Sequence, residues 1–113
     1  DIIASVFINR LNKKMKLQAD PTVRYGVSTL ANKKRLTHND LNRETAHNTY
    51  KINGLPPTPI CNPGKASIIA ALSPASTDFF YFVANGLGGH FFSKTLKEHN
   101  QNVLKWREIR DRL

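Results

Sequence analysis

The chain of 113 residues carries 17 Lys and Arg against 8 Asp and Glu, a formal charge of +9 with a pI near 10.1. That length suits one domain or a piece of one, burying roughly two-thirds of its unfolded surface, and the basic balance suits an anionic partner such as nucleic acid, membrane headgroups or a cell-wall polymer. Cys61 is the only cysteine, which excludes an internal disulfide and a multi-cysteine metal site; no apolar run approaches the roughly 18 residues of a membrane span, and no signal-peptide pattern opens the chain.

In chain order, Ile2, Ile3, Val6, Phe7, Leu11 and Met15 fall at helical spacing and predict a helix over residues 1–16. Asn9 and Arg10 flank its apolar face, within reach of the loop that follows. Leu17-Gln18-Ala19-Asp20-Pro21-Thr22-Val23-Arg24-Tyr25-Gly26 gathers an amide, a carboxylate, a hydroxyl, a guanidinium and a phenol in one bend. Pro21 disfavours the α region for Asp20, so on local sequence the carboxylate caps the next turn with Pro21 in its first position. Val27 to Arg35 has no sustained period and reads as a loop, with basic runs at 13–16 and 33–35 that lack interleaved aromatics. Thr37 and Asp40 fit a loose capping box at a helix start.

Glu44 to Ile52 alternates weakly and ends in Asn53-Gly54, a turn signal. Residues 55–64 hold four prolines, a rigid extended segment. Asn62 is placed to cap, and Pro63 to begin, an almost wholly apolar helix through Leu72 that Ser73-Pro74 ends; such a helix is normally buried. Phe79 to Ala84 and His90 to Phe92, joined by Asn85-Gly86-Leu87-Gly88-Gly89, predict a β-hairpin. Thr95 and Glu98 fit a capping box for a terminal helix built on Leu96, Val103, Leu104, Trp106, Ile109 and Leu113. The expected architecture is α+β, helices packed on a small antiparallel sheet, as a single partial domain spanning 1–113.

Polar groups cluster on the loops: Gln18, Asp20, Arg24 and Tyr25, then Asn48 and Tyr50, then Asn62, with His90 at the end of the hairpin turn. Amides, hydroxyls and rings together suit a carbohydrate, whose hydroxyls want paired donors and acceptors and whose apolar faces want an aromatic ring. Each has a structural alternative: Asn48 bonding its own turn, Tyr50 in the core with its hydroxyl tied off, His90 closing the hairpin. The glycines at 86, 88 and 89 precede no Lys-Ser or Lys-Thr and open no helix, unlike a phosphate loop. Histidines 38, 47, 90 and 99 lack metal-ligand spacing, and no serine sits in a nucleophile elbow.

Taken together, Ala4-Ser5-Val6-Phe7-Ile8-Asn9-Arg10-Leu11, the 17–26 stretch, Asn48-Thr49-Tyr50, Gly54-Leu55-Pro56-Pro57, Asn62-Pro63-Gly64, Tyr81-Phe82-Val83-Ala84 and Gly88-Gly89-His90 resemble, in order, the YceG-like family of endolytic murein transglycosylases. The resemblance implies cleavage of the β-1,4 bond between N-acetylmuramic acid and N-acetylglucosamine in nascent glycan strands, without water, leaving a 1,6-anhydro end. One glutamic acid would protonate the leaving oxygen and then deprotonate the C6 hydroxyl, and an internal nucleophile makes a second catalytic carboxylate less necessary. It further implies no cofactor, peptidoglycan glycan strands as substrate, peptidoglycan synthases as partners, and no nucleic acid. An amino-terminal anchor would hold the catalytic domain on the outer face of the inner membrane.

The family's catalytic glutamate falls upstream of Asp1, so the 113 residues alone are expected to be inactive. Gln18, Asp20, Tyr25, Asn48, Tyr50, Asn62 and His90 are the candidate substrate-binding residues, with Asp20 assigned to loop support or substrate contact and not to proton transfer. Members of the family have also been labelled aminodeoxychorismate lyase, but no lysine here stands in a Schiff-base context. A non-catalytic glycan- or nucleic-acid-binding module is the remaining alternative.

Overall fold

The computed structural model describes residues 2–25, 27, 30 and 35–112. Asp1, where the expected first helix begins, Gly26, most of the expected 27–35 loop with Lys33 and Lys34 of its basic run, and Leu113 lie outside the described residues. The elements are α1 (Ile2–Asn12), α2 (Asp20–Arg24), α3 (His38–Leu41), α4 (Lys65–Leu72), β1 (Tyr81–Ala84), β2 (His90–Ser93) and α5 (Leu96–Arg112). This is the α+β class with one two-stranded antiparallel sheet. The chain divides into two compact units, one running to Asn9 and resuming at Ile68, the other Arg10–Ser67. No described helix is long and apolar enough to cross a membrane.

In the first unit the hairpin pairs Tyr81 with Ser93 through Ala84 with His90. Its turn closes with Asn85 N–H donating to the Gly89 carbonyl (3.1 Å), while Asn85 Oδ1 accepts from the N–H groups of Leu87 (2.8 Å) and Gly89 (3.2 Å). Gly86 has φ +80°, and a Cβ there would lie 2.5 Å from Ile109 Cγ2, so this turn position needs glycine twice over. Phe7 of α1 meets Phe82 edge-on at 5.7 Å, and Phe79 stacks on Phe92 at 5.6 Å. Asn9 Nδ2 donates to the carbonyls of Thr77 (2.9 Å) and Phe79 (2.8 Å), fastening the lead-in to β1. Thr95 and Glu98 form the expected cap of α5.

The second unit buries Leu17, Val23 and Leu30 beside a set of polar side chains, Thr22, Asp40, Asn48 and Thr49. The capping box at Thr37 forms, with Thr37 N–H on Asp40 Oδ2 (2.8 Å) and Asp40 N–H on Thr37 Oγ1 (3.2 Å). Three expectations are corrected. The first helix stops at Asn12, not residue 16: Lys14 adopts φ 58°, its N–H bonds the Leu11 carbonyl and Met15 N–H bonds the Arg10 carbonyl, a Schellman ending that reverses the chain toward Leu17.

Asn62 and Pro63 do not begin α4, which starts at Lys65, after Gly64, whose entropy cost in a helix is the largest of any residue. Nor is α4 buried: Ile68, Ile69 and Leu72 are 45%, 53% and 79% exposed. Two turns flanked by proline-bearing segments run along the surface despite their apolar composition.

Candidate functional site

The site of interest lies in the Arg10–Ser67 unit, and its first wall is set by how the chain leaves α1. Buried Arg10 donates Nη1 to the carbonyls of Leu17 (2.9 Å) and Lys16 (3.4 Å), pinning the segment that leads to Gln18. Gln18 then takes φ 50°, a left-handed conformation that a side chain with a Cβ seldom adopts, with its N–H on the Thr49 carbonyl (3.3 Å). Such strain persists only where the surroundings over-determine it, and it gathers at ligand sites. Of the two residues expected to reach this loop, Arg10 does and Asn9 does not, since one helical residue turns the side chain by about 100°.

Thr49 fixes the next residues. Its Oγ1 accepts Ala19 N–H (2.9 Å) and shares a 2.8 Å bond with Thr22 Oγ1, which itself meets the Ala19 carbonyl at 2.6 Å. Asp20 is the first residue of α2 and makes no cap; Ala19 occupies the cap position. The expected capping role is therefore overturned. With Asp20 at N1 no helical hydrogen bond is lost, because Pro21 follows at a position whose N–H has no helical partner anyway. Freed of capping, Asp20 Oδ1 accepts the Tyr50 hydroxyl at 2.7 Å. Burial, then that hydrogen bond and the Asp20 charge, push the Tyr50 phenol well above its ordinary value, against a smaller opposing pull from Arg10. The phenol is protonated and oriented at any physiological pH.

The second wall depends on Asn48, which is fully buried. Its Nδ2 donates to the carbonyls of Leu41 (3.0 Å) and Arg43 (2.6 Å), and its Oδ1 accepts Tyr50 N–H at 2.9 Å. One side chain thus ties the end of α3 to the Tyr50 segment. Between them opens a cavity of about 460 Å³, within the usual range for small-ligand sites. Lys16 and Gln18 line it from one side and Tyr50 and Lys51 from another; His38, Leu41, Asn42 and Glu44 complete it.

Of the residues singled out from sequence, Gln18 and Tyr50 line the cavity, Asp20 orients Tyr50, and Asn48 spends its amide on the backbone. Tyr25 is exposed, its ring 4.7 Å from that of His47, whose Nε2 lies 2.8 Å from Thr58 Oγ1. Asn62 is exposed in the proline segment. His90 belongs to the other unit, where its ring meets Phe82 at 5.6 Å and Phe92 at 6.1 Å. Sequence reading missed Lys16, His38, Asn42, Glu44 and Lys51. Lys16 and Lys51 were discoverable as the neighbours of Gln18 and Tyr50; nothing in the sequence joined the α3 end to them, because that join is made by the Asn48 amide.

Comparison with known proteins bears on this geometry. The YceG-like family model matches residues 1–105. A curated endolytic murein transglycosylase of Bacillus subtilis is 52% identical over 104 residues, covering 92% of this chain and 28% of its own length. The protein of the same name from Streptococcus pneumoniae is 32% identical over 106 residues, covering 90% of this chain and 19% of its own. A crystal structure of a YceG-like protein from Listeria monocytogenes superposes with a TM-score of 0.81 at 52% identity, covering 88% of this chain and 32% of that one. The chain therefore spans less than a third of the length of these relatives.

Proposed function

The chain belongs to the YceG-like family, and from that premise we propose that it forms part of an endolytic lytic transglycosylase that cuts peptidoglycan glycan strands on the outer side of the cytoplasmic membrane. The observation that carries this reading is the cavity lined by a left-handed Gln18 and by a Tyr50 phenol hydrogen-bonded to Asp20. A side-chain amide and an oriented hydroxyl are what a sugar ring needs to be held in one pose. Held so, a muramoyl residue presents its C6 hydroxyl to its own anomeric carbon, and the internal attack gains the advantage of a unimolecular step. The products are a 1,6-anhydro-muramoyl end and a free N-acetylglucosamine hydroxyl. Asp20 is taken up by the phenol's hydrogen bond, so it supports the pose and leaves proton transfer to a glutamate outside these residues. Asn48 supports the wall, and Gln18 and Tyr50 contact the sugar.

The test is a digest of purified peptidoglycan by the full-length protein, with its products weighed by mass spectrometry. Anhydro ends are expected, and Tyr50→Phe or Asp20→Asn should slow their release about tenfold or more, since a sub-ångström loss of pose is enough for that. Reducing ends would make the protein a hydrolase; unaltered rates in both variants would remove the cavity from the reaction.

A further inference from the structure

Besides its amide and phenol, the cavity carries two lysines. Lys16 follows the Schellman turn that ends α1, Lys51 follows Tyr50, and both line the same space. Among the described residues neither ammonium takes part in an ion pair. The other charged or titratable groups there are Glu44 and His38, with Asp20 held on Tyr50 and buried Arg10 close enough to lower the phenol's pKa. Two ammonium groups thus share the lining with one carboxylate, that of Glu44. A neutral oligosaccharide has no use for such a surplus. An ammonium beside an amide and a phenol is the arrangement that recognises a carboxylate carried on a sugar, because the charge-assisted bond is stronger than a neutral one and the neutral donors fix its direction.

Resting on the function proposed above, we infer that this cavity is a carboxylate subsite, in which Lys16 and Lys51 select the acid-bearing sugar of the strand over its neutral neighbour. N-acetylmuramic acid differs from N-acetylglucosamine by a lactyl ether that ends in a carboxyl group. In a strand without peptides that group is free; in a peptide-bearing strand it is an amide, and the carboxylates are those of the stem. A subsite of this kind sets the register of the strand, since the two sugars alternate and only one can place an anion between the lysines.

The experiment is calorimetric titration of the full-length protein with three tetrasaccharides: the peptide-free acid, its lactyl methyl ester, and the stem-peptide form. The acid or the peptide form is expected to bind about five- to tenfold more tightly than the ester, the scale of two partly solvated ion pairs. Tighter binding of the free acid identifies the lactyl carboxylate, and tighter binding of the peptide form identifies the stem. Lys16→Met with Lys51→Met should erase the preference while leaving the ester's affinity in place, which also shows the variant folded. Lys16→Arg with Lys51→Arg should retain it. Equal affinity for acid, peptide form and ester, no measurable affinity for either anionic form, or a Met variant that keeps the preference would overturn the subsite. Should the digest yield no anhydro ends while the preference persists, the reaction falls and the subsite stands.

Discussion

In the hairpin unit the elements are held chiefly ring to ring, Phe7 on Phe82, Phe79 on Phe92 and Tyr81 on His99, with Ser5 and Asn9 adding bonds to the lead-in strand. In the Arg10–Ser67 unit they are held side chain to backbone, through Arg10, Thr22, Thr49 and Asn48. Ring pairs remain favourable over centroid separations of roughly 4.5–7 Å. A hydrogen bond weakens within a few tenths of an ångström and below about 120°. The unit that carries the cavity is thus framed by the interaction with the narrower tolerance, and only such a frame can keep Gln18 in a conformation it would otherwise leave.

That contrast breaks most sharply at Asn48. Replacing it by Ala strands the carbonyl of Leu41 and the N–H of Tyr50, and leaves the Arg43 carbonyl with the Thr45 N–H alone (3.2 Å). Each of the two orphaned groups costs about 1–3 kcal/mol, and with partial relief from water at these part-buried positions the net loss should be about 2 kcal/mol. Urea denaturation reads it directly. A loss below about 1 kcal/mol would mean that the frame is held by something other than these bonds.

In the ring-packed unit the comparable weak point is steric. Gly86→Ala must place a Cβ against Ile109 Cγ2 and hold an L-residue at φ +80°. The isoleucine can rotate away but the backbone term stays, so about 2 kcal/mol is expected from thermal melting. Pairing it with Ile109→Ala should recover the steric share alone. Full recovery would show that the positive φ is not strained.

How far the fold could be read from sequence follows the same division. The hairpin, the capping box at Thr37, the Thr95 hydroxyl cap of α5 and the α+β class were legible because each is encoded within a few neighbouring residues. The Schellman stop was not, since a lysine stands where glycine is usual, and its left-handed turn is set by bonds back to Arg10 and Leu11. The exposure of α4 was hidden because composition reports what a helix could bury and not whether anything meets it. At the site, Gln18, Asp20 and Tyr50 stood out as polar groups on loops. Their grouping came only with the bond from Tyr50 to Asp20, thirty residues apart, and the α3 wall came only with Asn48.

The smallest effect concerns the proton on Tyr50. Its pKa in the folded chain is raised above the ordinary 10.0, so folding favours the protonated phenol. The stabilisation is fully present below about pH 10; above it the unfolded chain releases the proton while the folded chain keeps it, and stability falls as pH rises. Between about pH 10 and 11 the full-length protein should lose up to about 1 kcal/mol more than its Tyr50→Phe variant, in which the other tyrosines and the lysines titrate as before. Asp20→Asn removes the carboxylate and leaves the burial, which is the larger cause of the shift, so its alkaline slope should lie between the two. If the slope of Asp20→Asn equals that of the unaltered protein, burial alone holds the proton and Asp20 does not orient the phenol. If it equals that of Tyr50→Phe, the carboxylate is the whole cause, and the cavity's hydroxyl depends on one hydrogen bond.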